Sequence, residues 1–491
     1  MTVKTIKACA DEWKSLPWKE FQKNLFRLQH RIYKAAKRND IDTVKRLQTL
    51  LLGSKCSKFL AVRQVTQLNT GKKTAGIDGV KSLNPKKRLQ LVSELDSMKG
   101  WKHRKLRRVF IPKPNGKQRP VGIPTIRDRA MQCLVKYALE PVYESYASDG
   151  SYGFRPGHST WDVQNRLFQN LKSNCNGFEK TILELGIEGC FDNINHDKLM
   201  SLITLPGTAK NFLRTALEAG GLNERDKTLV GTTQGGVISP LLCNIALHGV
   251  EDLNNSKIRG QKYQRGLRYA DDMVFLLMPG QSESELLAKV KEFLLRRGLR
   301  AEETKTRFVS CKDGFDFLGW HFKVKAGNNK FVSYPSKKNR KQMISKIKSV
   351  MKDSRYKIKD RIAKVRTIYR GWWNYHQFSD MGQINPWSTQ RWTYKYLSKS
   401  TKIPSKEIIK HCQSIFNGHR YPVNRQPDVR GNKSVYDGDL IFWSMKNSKR
   451  YCGGDDWIEL HHKNGINDDF RLKNVEALNR TCTSPFIGRN C

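Results

Sequence analysis

The chain has 491 residues, and 90 Lys and Arg against 45 Asp and Glu leave a formal net charge of +45. At roughly 100–200 residues per domain that length predicts two to four domains, and the 38% hydrophobic and 10% aromatic content is enough to pack their cores. The 11 Cys, an odd number without a Cys-x-x-Cys pair, exclude a disulfide framework, and no apolar run reaches the ~18 residues of a membrane span. The basic excess exceeds what solubility asks for and favours a polyanionic partner, nucleic acid first. The start, MTVKTIKACADEWKSLPWKE, has no apolar core and carries acids, so no targeting signal is expected there.

In chain order, Phe21, Leu25, Leu28, Ile32, Val44, Leu47, Leu50 and Leu51 give residues 19–52 helical spacing. RRVFIPKPNGKQRPVGIP reads as two extended runs around Pro114-Asn115-Gly116, a hairpin studded with Arg107, Arg108, Lys113, Lys117 and Arg119. Residues 128–146 predict a helix and TILELGI (181–187) an apolar strand. LVGTTQGGVISPLLCNIALHGV (229–250) runs from a Gly-rich turn into a helix. LRYADDMVFLL (267–277) is a hairpin with Asp271 and Asp272 at its tip, and FDFLGWHF (315–322) predicts a further strand. Strands and helices mix without βαβ regularity, so the class is α+β. From Lys337 to Arg366, thirteen Lys/Arg face two acids while Ile344, Ile347 and Met351 keep helical spacing, which predicts one basic amphipathic helix. RGWWNYHQF (370–378) then sets aromatics beside basic residues, and the last sixty residues are rich in Gly, Asp and Asn around His461-His462.

Adjacent Asp at a hairpin tip suit Mg²⁺, which takes oxygen ligands; phosphoryl transfer with two ions draws several carboxylates from neighbouring strands. Solvated turn Asp are the plain alternative. LRYADDMVF resembles the palm motif of the group II intron-encoded reverse transcriptases, the maturases. The resemblance runs colinearly through LQHRIYKAAKRND, LAVRQVTQLNTGKKTAGIDG, RRVFIPKPNGKQRPVGIPTIRDRAMQ, LEPVYESYASDGSYGFRPGHS, GCFDNINHDKL, TTQGGVISPLLCNIALHG, GLRAEETKTRF, FDFLGW and GWWNYHQF. It implies a right-hand polymerase fold: an N-terminal extension (1–75), fingers and palm (76–330), a helical thumb or maturase domain (331–430) and a C-terminal module (431–491). It further implies Asp271 and Asp272 as palm metal ligands and Phe191 under the nucleotide sugar. Lys113 and Arg119 would face the triphosphate, with Gln234 and Gly235 beside the primer.

The resemblance breaks at the third carboxylate. Family members carry an Asp five residues before the aromatic of the xIxxCFD block, and here that position is Gly186. Glu184 and Glu188 flank it on the same strand face, but ~6.5 Å away along the chain. Thr233 stands where the family has Pro. A two-ion Mg²⁺ site is therefore expected to be impaired, and polymerase activity weak or lost. YCGGDDWIELHHKNGINDDFRLKNVEALNRTC (451–482) resembles an HNH endonuclease, a ββα fold around one metal, with His461, His462 and Asn474 in the pattern and His462 as base. The family's two Cys-x-x-Cys pairs keep only Cys452 and Cys482, opposite Lys449 and Asn479, and the final His ligand is Thr483. Two thiolates do not close a zinc site, so zinc is not expected and the module reads as degenerate.

The leading expectation is a maturase that binds its parent intron RNA and assists splicing. Lys337, Lys338, Arg340, Lys341, Lys346, Lys348, Arg370 and Trp372 are the RNA-binding candidates. The thumb aromatics serve equally well as helix core. Two alternatives stay open: an active RNA-directed DNA polymerase and nickase of a mobile intron, which would also contact target DNA, and a general RNA-binding splicing factor serving several introns. Decayed motifs fit an organelle, a plastid before a mitochondrion, or else a bacterial cytoplasm; no membrane partner is expected, and oligomeric state is not legible.

Overall fold

The computed structural model describes residues 11–96, 98–112, 116, 118–220, 228, 230–232, 235–258, 261–381, 384, 387–417, 434–436, 458–462 and 475–479. The N-terminal pattern folds as three helices, α1 (Trp18–Lys37), α2 (Ile41–Gly53) and α3 (Lys55–Arg63). The break lies at Asn39, whose φ is +56°, and Asp40, whose carboxylate accepts the Thr43 N–H at 3.1 Å and so caps α2. After α4 (Pro85–Glu94) come β1 (Arg107–Pro112) and β2 (Gln118–Ile123), an antiparallel pair with Val109 opposite Val121. That is the expected basic hairpin, and Arg107 and Arg108 are exposed on it. Helix α5 (Ile126–Tyr146) follows, capped by the Thr125 hydroxyl at the Asp128 N–H. It is buried on nearly every side, so the extension and the fingers share it as a post. Gln29 and Gln48 of α1 and α2 donate to its Tyr137 and Ala138 carbonyls at 3.0 and 3.1 Å.

The central sheet takes β3 (Thr181–Gly186), β6 (Gly266–Tyr269), β7 (Asp272–Leu277) and β8 (Arg307–Ser310) in the antiparallel order β6-β7-β3-β8. Helix α6 (Thr160–Leu171) leads into β3, and between the strands run α7 (Cys190–Asn193), α8 (His196–Ser201), α9 (Gly207–Leu217), α10 (Ser239–Leu247), the small hairpin β4 (Ser256–Ile258) and β5 (Gln261–Tyr263), and α11 (Glu283–Leu295). Alternation sends Leu183, Leu185, Met273, Phe275 and Leu277 into one core with α5, α10 and α11. Ile182, Val274 and Leu276 face the other way, onto α6 and the strands that follow. The predicted strand 315–322 is instead a tight hairpin: β9 (Phe315–Phe317) and β10 (Trp320–Val324) join through Leu318 and Gly319, with φ of +50° and +86°, and β11 (Phe331–Pro335) completes a three-stranded sheet. Two consecutive left-handed residues make the type I′ turn that matches strand twist.

The thumb packs α12 (Lys337–Lys352), α13 (Ile358–His376), α14 (Trp387–Ser400) and α15 (Ser405–Phe416) around Ile347, Met351, Val365, Tyr369, Leu397 and Ile415. The single helix expected over 337–366 is two. Asp353 leaves helical geometry and binds the Arg355 backbone and guanidinium, and α13 starts anew at Ile358. Trp161 and Trp320 tie this bundle to the second core, their indole N–H groups donating to Tyr375 O and Ser379 Oγ at 2.9 and 2.8 Å. Farther along, Ser434, Val435 and Tyr436 lie buried against the other end of the chain. The Tyr436 ring sits 5.8 Å from Phe26 and 5.6 Å from Tyr33 of α1, and Ser434 Oγ donates to Glu144 Oε2 at 3.3 Å. In the C-terminal module β12 (Ile458–His462) and β13 (Val475–Asn479) pair antiparallel, with His461 opposite Glu476 and His462 opposite Val475. Asn474, Thr483, Lys449, Cys452 and Cys482 lie outside the described residues, so the HNH constellation beyond this strand pair is not in view. Among the described residues no helix is long and apolar enough to cross a membrane.

Candidate active site

The Asp pair sits on the turn between β6 and β7. Tyr269 pairs with Asp272, so Ala270 and Asp271 form the two-residue turn, and Ala270 takes a φ of +60° where glycine is the usual residue. What holds a β-carbon in that strained position lies beneath it. Arg268 is fully buried and donates to the Ala270 carbonyl at 3.2 Å, to Asn244 Oδ1 at 2.8 Å and to Ser151 Oγ at 2.7 Å, and it pairs with Glu251 at 3.3 Å. Asn244 donates in turn to Gly153 O at 2.8 Å, and a Cβ on Gly153 would lie 2.2 Å from the Ala270 nitrogen. Every arm of the Arg268 guanidinium is thus used to fix the turn, an arrangement that stands up only when complete. The sequence reading passed over Arg268 and Glu251. The signal present was an Arg in an apolar strand at a position paired with core Met273.

β3 runs alongside and brings Gly186 directly opposite Asp272. Position 186, where the third ligand was expected, thus pairs with Asp272 and carries no side chain. A Cβ there would lie 2.9 Å from Lys305 Cδ and 3.3 Å from its Cβ, so the aliphatic stem of Lys305 lies across the position, its ammonium paired with Glu302. Glu184, two residues back, pairs with Val274 rather than with Asp272. Its carboxylate accepts from Arg307 Nε and, at 3.1 Å, from the Asp316 N–H, which engages both oxygens away from the turn. Glu188 is exposed beyond the strand, its N–H bonded to Arg300 O. Among the described residues no group of three or more His, Cys, Asp or Glu side chains converges as a metal site. Two carboxylates do not complete the oxygen set of a two-ion centre. Asp271 is half-buried and the Asp272 residue keeps an exposed surface at the strand end; its carboxyl is pushed up to about 6 by desolvation among the neighbouring side chains and then by the Asp271 charge, against the opposing pull of Lys305 and Lys338.

The other expected residues fall around this turn to different degrees. Phe191 on α7 is half-buried, its carbonyl accepting the Thr232 N–H and its ring 6.3 Å from Phe154. Gly235 meets the fingers hairpin closely: a Cβ on it would lie 2.3 Å from Gly122 O. Arg119 pairs with Ile111 through its backbone, while Lys113, Thr233 and Gln234 lie outside the described residues. Lys337, Lys338, Lys341, Lys346 and Arg370 are exposed on the thumb, with Arg340 and Lys348 half-exposed. Trp372 is different. Its indole N–H donates to Asn339 Oδ1 at 2.6 Å between α12 and α13, so the ring serves helix packing rather than an open stacking face. Trp373 and Tyr375 are core as well, Tyr375 stacked on Trp320 at 4.5 Å.

Family comparison matches this order of parts. Residues 13–95 match the N-terminal domain of reverse transcriptase, 111–322 the reverse transcriptase (RNA-dependent DNA polymerase) model, and 340–418 the group II intron maturase-specific domain. A maturase-like protein 1 from Euglena gracilis is 32% identical over 371 residues, covering 75% of this chain and 78% of that one. The chain belongs to the group II intron maturases. The maturase-like protein 1 of Euglena longa is 29% identical over 82% of this maturase and 87% of its own length. A group II intron-encoded protein of Lactococcus lactis is 40% identical over 152 residues, which are 30% of this maturase and 24% of that protein. This maturase is accordingly built on a reverse transcriptase fold, a family whose palm generally uses Mg²⁺ and whose maturase members bind intron RNA and assist its splicing.

Proposed function

We propose that this maturase acts by binding its parent intron RNA and stabilising the fold that splices, with its polymerase activity weak or lost. The observation that carries the second half is Gly186 opposite Asp272, with Glu184 engaged by Arg307 and the Asp316 N–H and Lys305 lying across the gap. Losing one of three converging carboxylates removes on the order of several kcal/mol of transition-state stabilisation, hence orders of magnitude in rate. RNA binding needs charge and shape, and the exposed cations of α12 and α13 supply both without the palm. The likeness to Euglena proteins and the decayed palm support an organellar setting, a plastid first. The domain limits 1–75, 76–330, 331–430 and 431–491 are kept as the working division, with 431–491 read as a degenerate HNH module that does not nick DNA at a useful rate.

The test is primer extension on an RNA template beside a splicing assay of the flanking intron at low Mg²⁺. The wild-type chain should extend poorly and Gly186→Asp should gain roughly a hundredfold or more, because Asp271, Asp272 and Phe191 remain in place and only the flexible Lys305 stem must yield. Splicing support should be the same for wild type, Gly186→Asp and Asp271→Ala. Efficient extension by the wild type, abolished by Asp271→Ala, would return the chain to the active retroelement enzymes.

A further inference from the structure

We propose that the outer surface of α14 is a stacking site for unpaired RNA bases, fed by the basic side of α12. The proposal rests on the reading of the chain as an RNA-binding maturase and adds a site to it. Helix α14, WSTQRWTYKYLSKS, buries Thr389, Thr393 and Leu397 and sets Trp392, Tyr394 and Tyr396 half-buried against the thumb core, while Trp387 stands exposed at its start. At 3.6 residues per turn the residues on the side opposite the buried stripe are Trp387, Arg391 and Lys395, with Tyr394 and Ser398 beside them. Trp387 is 56% exposed, and the Arg391 guanidinium lies 4.8 Å from its ring centroid.

One aromatic pair marks the flank, half-buried against the thumb core. Trp392 and Tyr396 stack at 5.3 Å and 17°, and Lys348 of α12 sets its ammonium 5.3 Å from the Trp392 ring. Helix α14 carries no acidic residue, and Arg391, Lys395 and Lys399 are all exposed on it. Aromatic faces interleaved with cations are what single-stranded nucleic acid uses: the cations track phosphates, and each base offers a π-face to a ring whatever its identity. Duplex RNA keeps its bases stacked on one another and has none to offer, so the site selects unpaired nucleotides. Lys348 joins the two helices, so a strand whose phosphates lie along α12 has its bases within reach of α14.

The probe is a short oligoadenylate RNA carrying one fluorescent adenine analogue whose emission falls on stacking, titrated with the full chain beside a blunt RNA duplex of equal length. Trp387→Ala should weaken oligoadenylate binding about tenfold, the size of one lost base–aromatic stack, and reduce the stacking signal, while duplex binding holds. Trp387→Tyr should restore both and Trp387→Leu neither, which separates stacking from mere apolar cover; Trp392→Ala should act in the same direction. The proposal is overturned if the leucine variant binds like wild type, if duplex binding falls in parallel, if the wild type does not quench the probe, or if the variants change only self-association. Preference for the intron over a size-matched structured RNA is measured with the same proteins. An intact preference with unchanged oligoadenylate binding in Trp387→Ala removes the stacking site and leaves the maturase reading; loss of preference in the wild type removes that reading instead, and the oligoadenylate result still decides the site.

Discussion

Asp272 lies at a turn where charge is crowded: Asp271 precedes it, Gly186 opposite it offers nothing, and desolvation raises its carboxyl from 3.8 to about 6. A raised carboxyl means that the ionised form is disfavoured in the fold. The cost is present above about 6, where the group is charged folded and unfolded, and disappears as the pH falls below the unfolded value. Asp272→Asn should therefore raise the melting temperature at neutral and alkaline pH and change it little near pH ~4, where the Asp is already neutral. Thermal melts of the two proteins across that range check it; equal melts throughout would mean that Lys305 and Lys338 already balance the pair. The Asp pair and the Gly186 gap were legible in the sequence because they lie in short motifs with fixed spacing. The support beneath them was not. Arg268, Glu251, Asn244 and Ser151 come from four separate segments, and only the packed fold shows that they meet.

Among elements, the thumb shows why a basic periodic stretch was over-read. Ile344, Ile347 and Met351 set the helical period, yet Asp353 and Arg355 satisfy each other locally and end α12, which periodicity alone does not register. The FDFLGWHF strand was misread for a related reason: its turn is only Leu318-Gly319, and leucine is not a residue that announces φ > 0. The seam between α12 and α13 is polar at one point. Trp372 and His376 both donate to Asn339 Oδ1, at 2.6 and 3.1 Å, so His376 is the neutral Nε2–H tautomer. Burial lowers it from 6.5 to about 3. The unfolded chain thus takes up a proton as the pH falls through 6.5 and the folded chain does not until about 3, so stability drops steadily across that window. His376→Gln keeps the donor and cannot titrate; its melting temperature should fall less steeply than that of wild type between neutral pH and about 4. A parallel slope in both would place the proton elsewhere.

For the molecule as a whole, the +45 charge sets the expectation. If the surface neutralises ~6–10 phosphates, affinity for the intron should drop by about 10³–10⁵ between 50 and 200 mM salt, should the duplex-DNA slope carry over. Filter binding across that range, with a size-matched structured RNA alongside, checks it. A flat profile would point to a shape-read interface with few phosphate contacts, and equal affinity for both RNAs would favour a general splicing factor. Fold class, strand β3, the fingers hairpin and the order of parts were readable in the sequence because colinear motifs survive. The outward setting of Trp387 was not, because a Trp at helical spacing looks the same whether it faces core or solvent.

Tyr436 closes the chain upon itself, and this bears on synthesis. Phe26 and Tyr33 leave the ribosome early, but their cover arrives on the order of four hundred residues later. At ~5–20 residues per second that wait lasts roughly 20–80 s. Throughout it the nascent chain shows an aromatic face that a chaperone can hold and another chain can stick to. A message cut short between codons 417 and 434 yields a product whose fingers and thumb are complete and whose N-terminal helix still shows its aromatic face, so quality control can tell it from a chain that carries Tyr436.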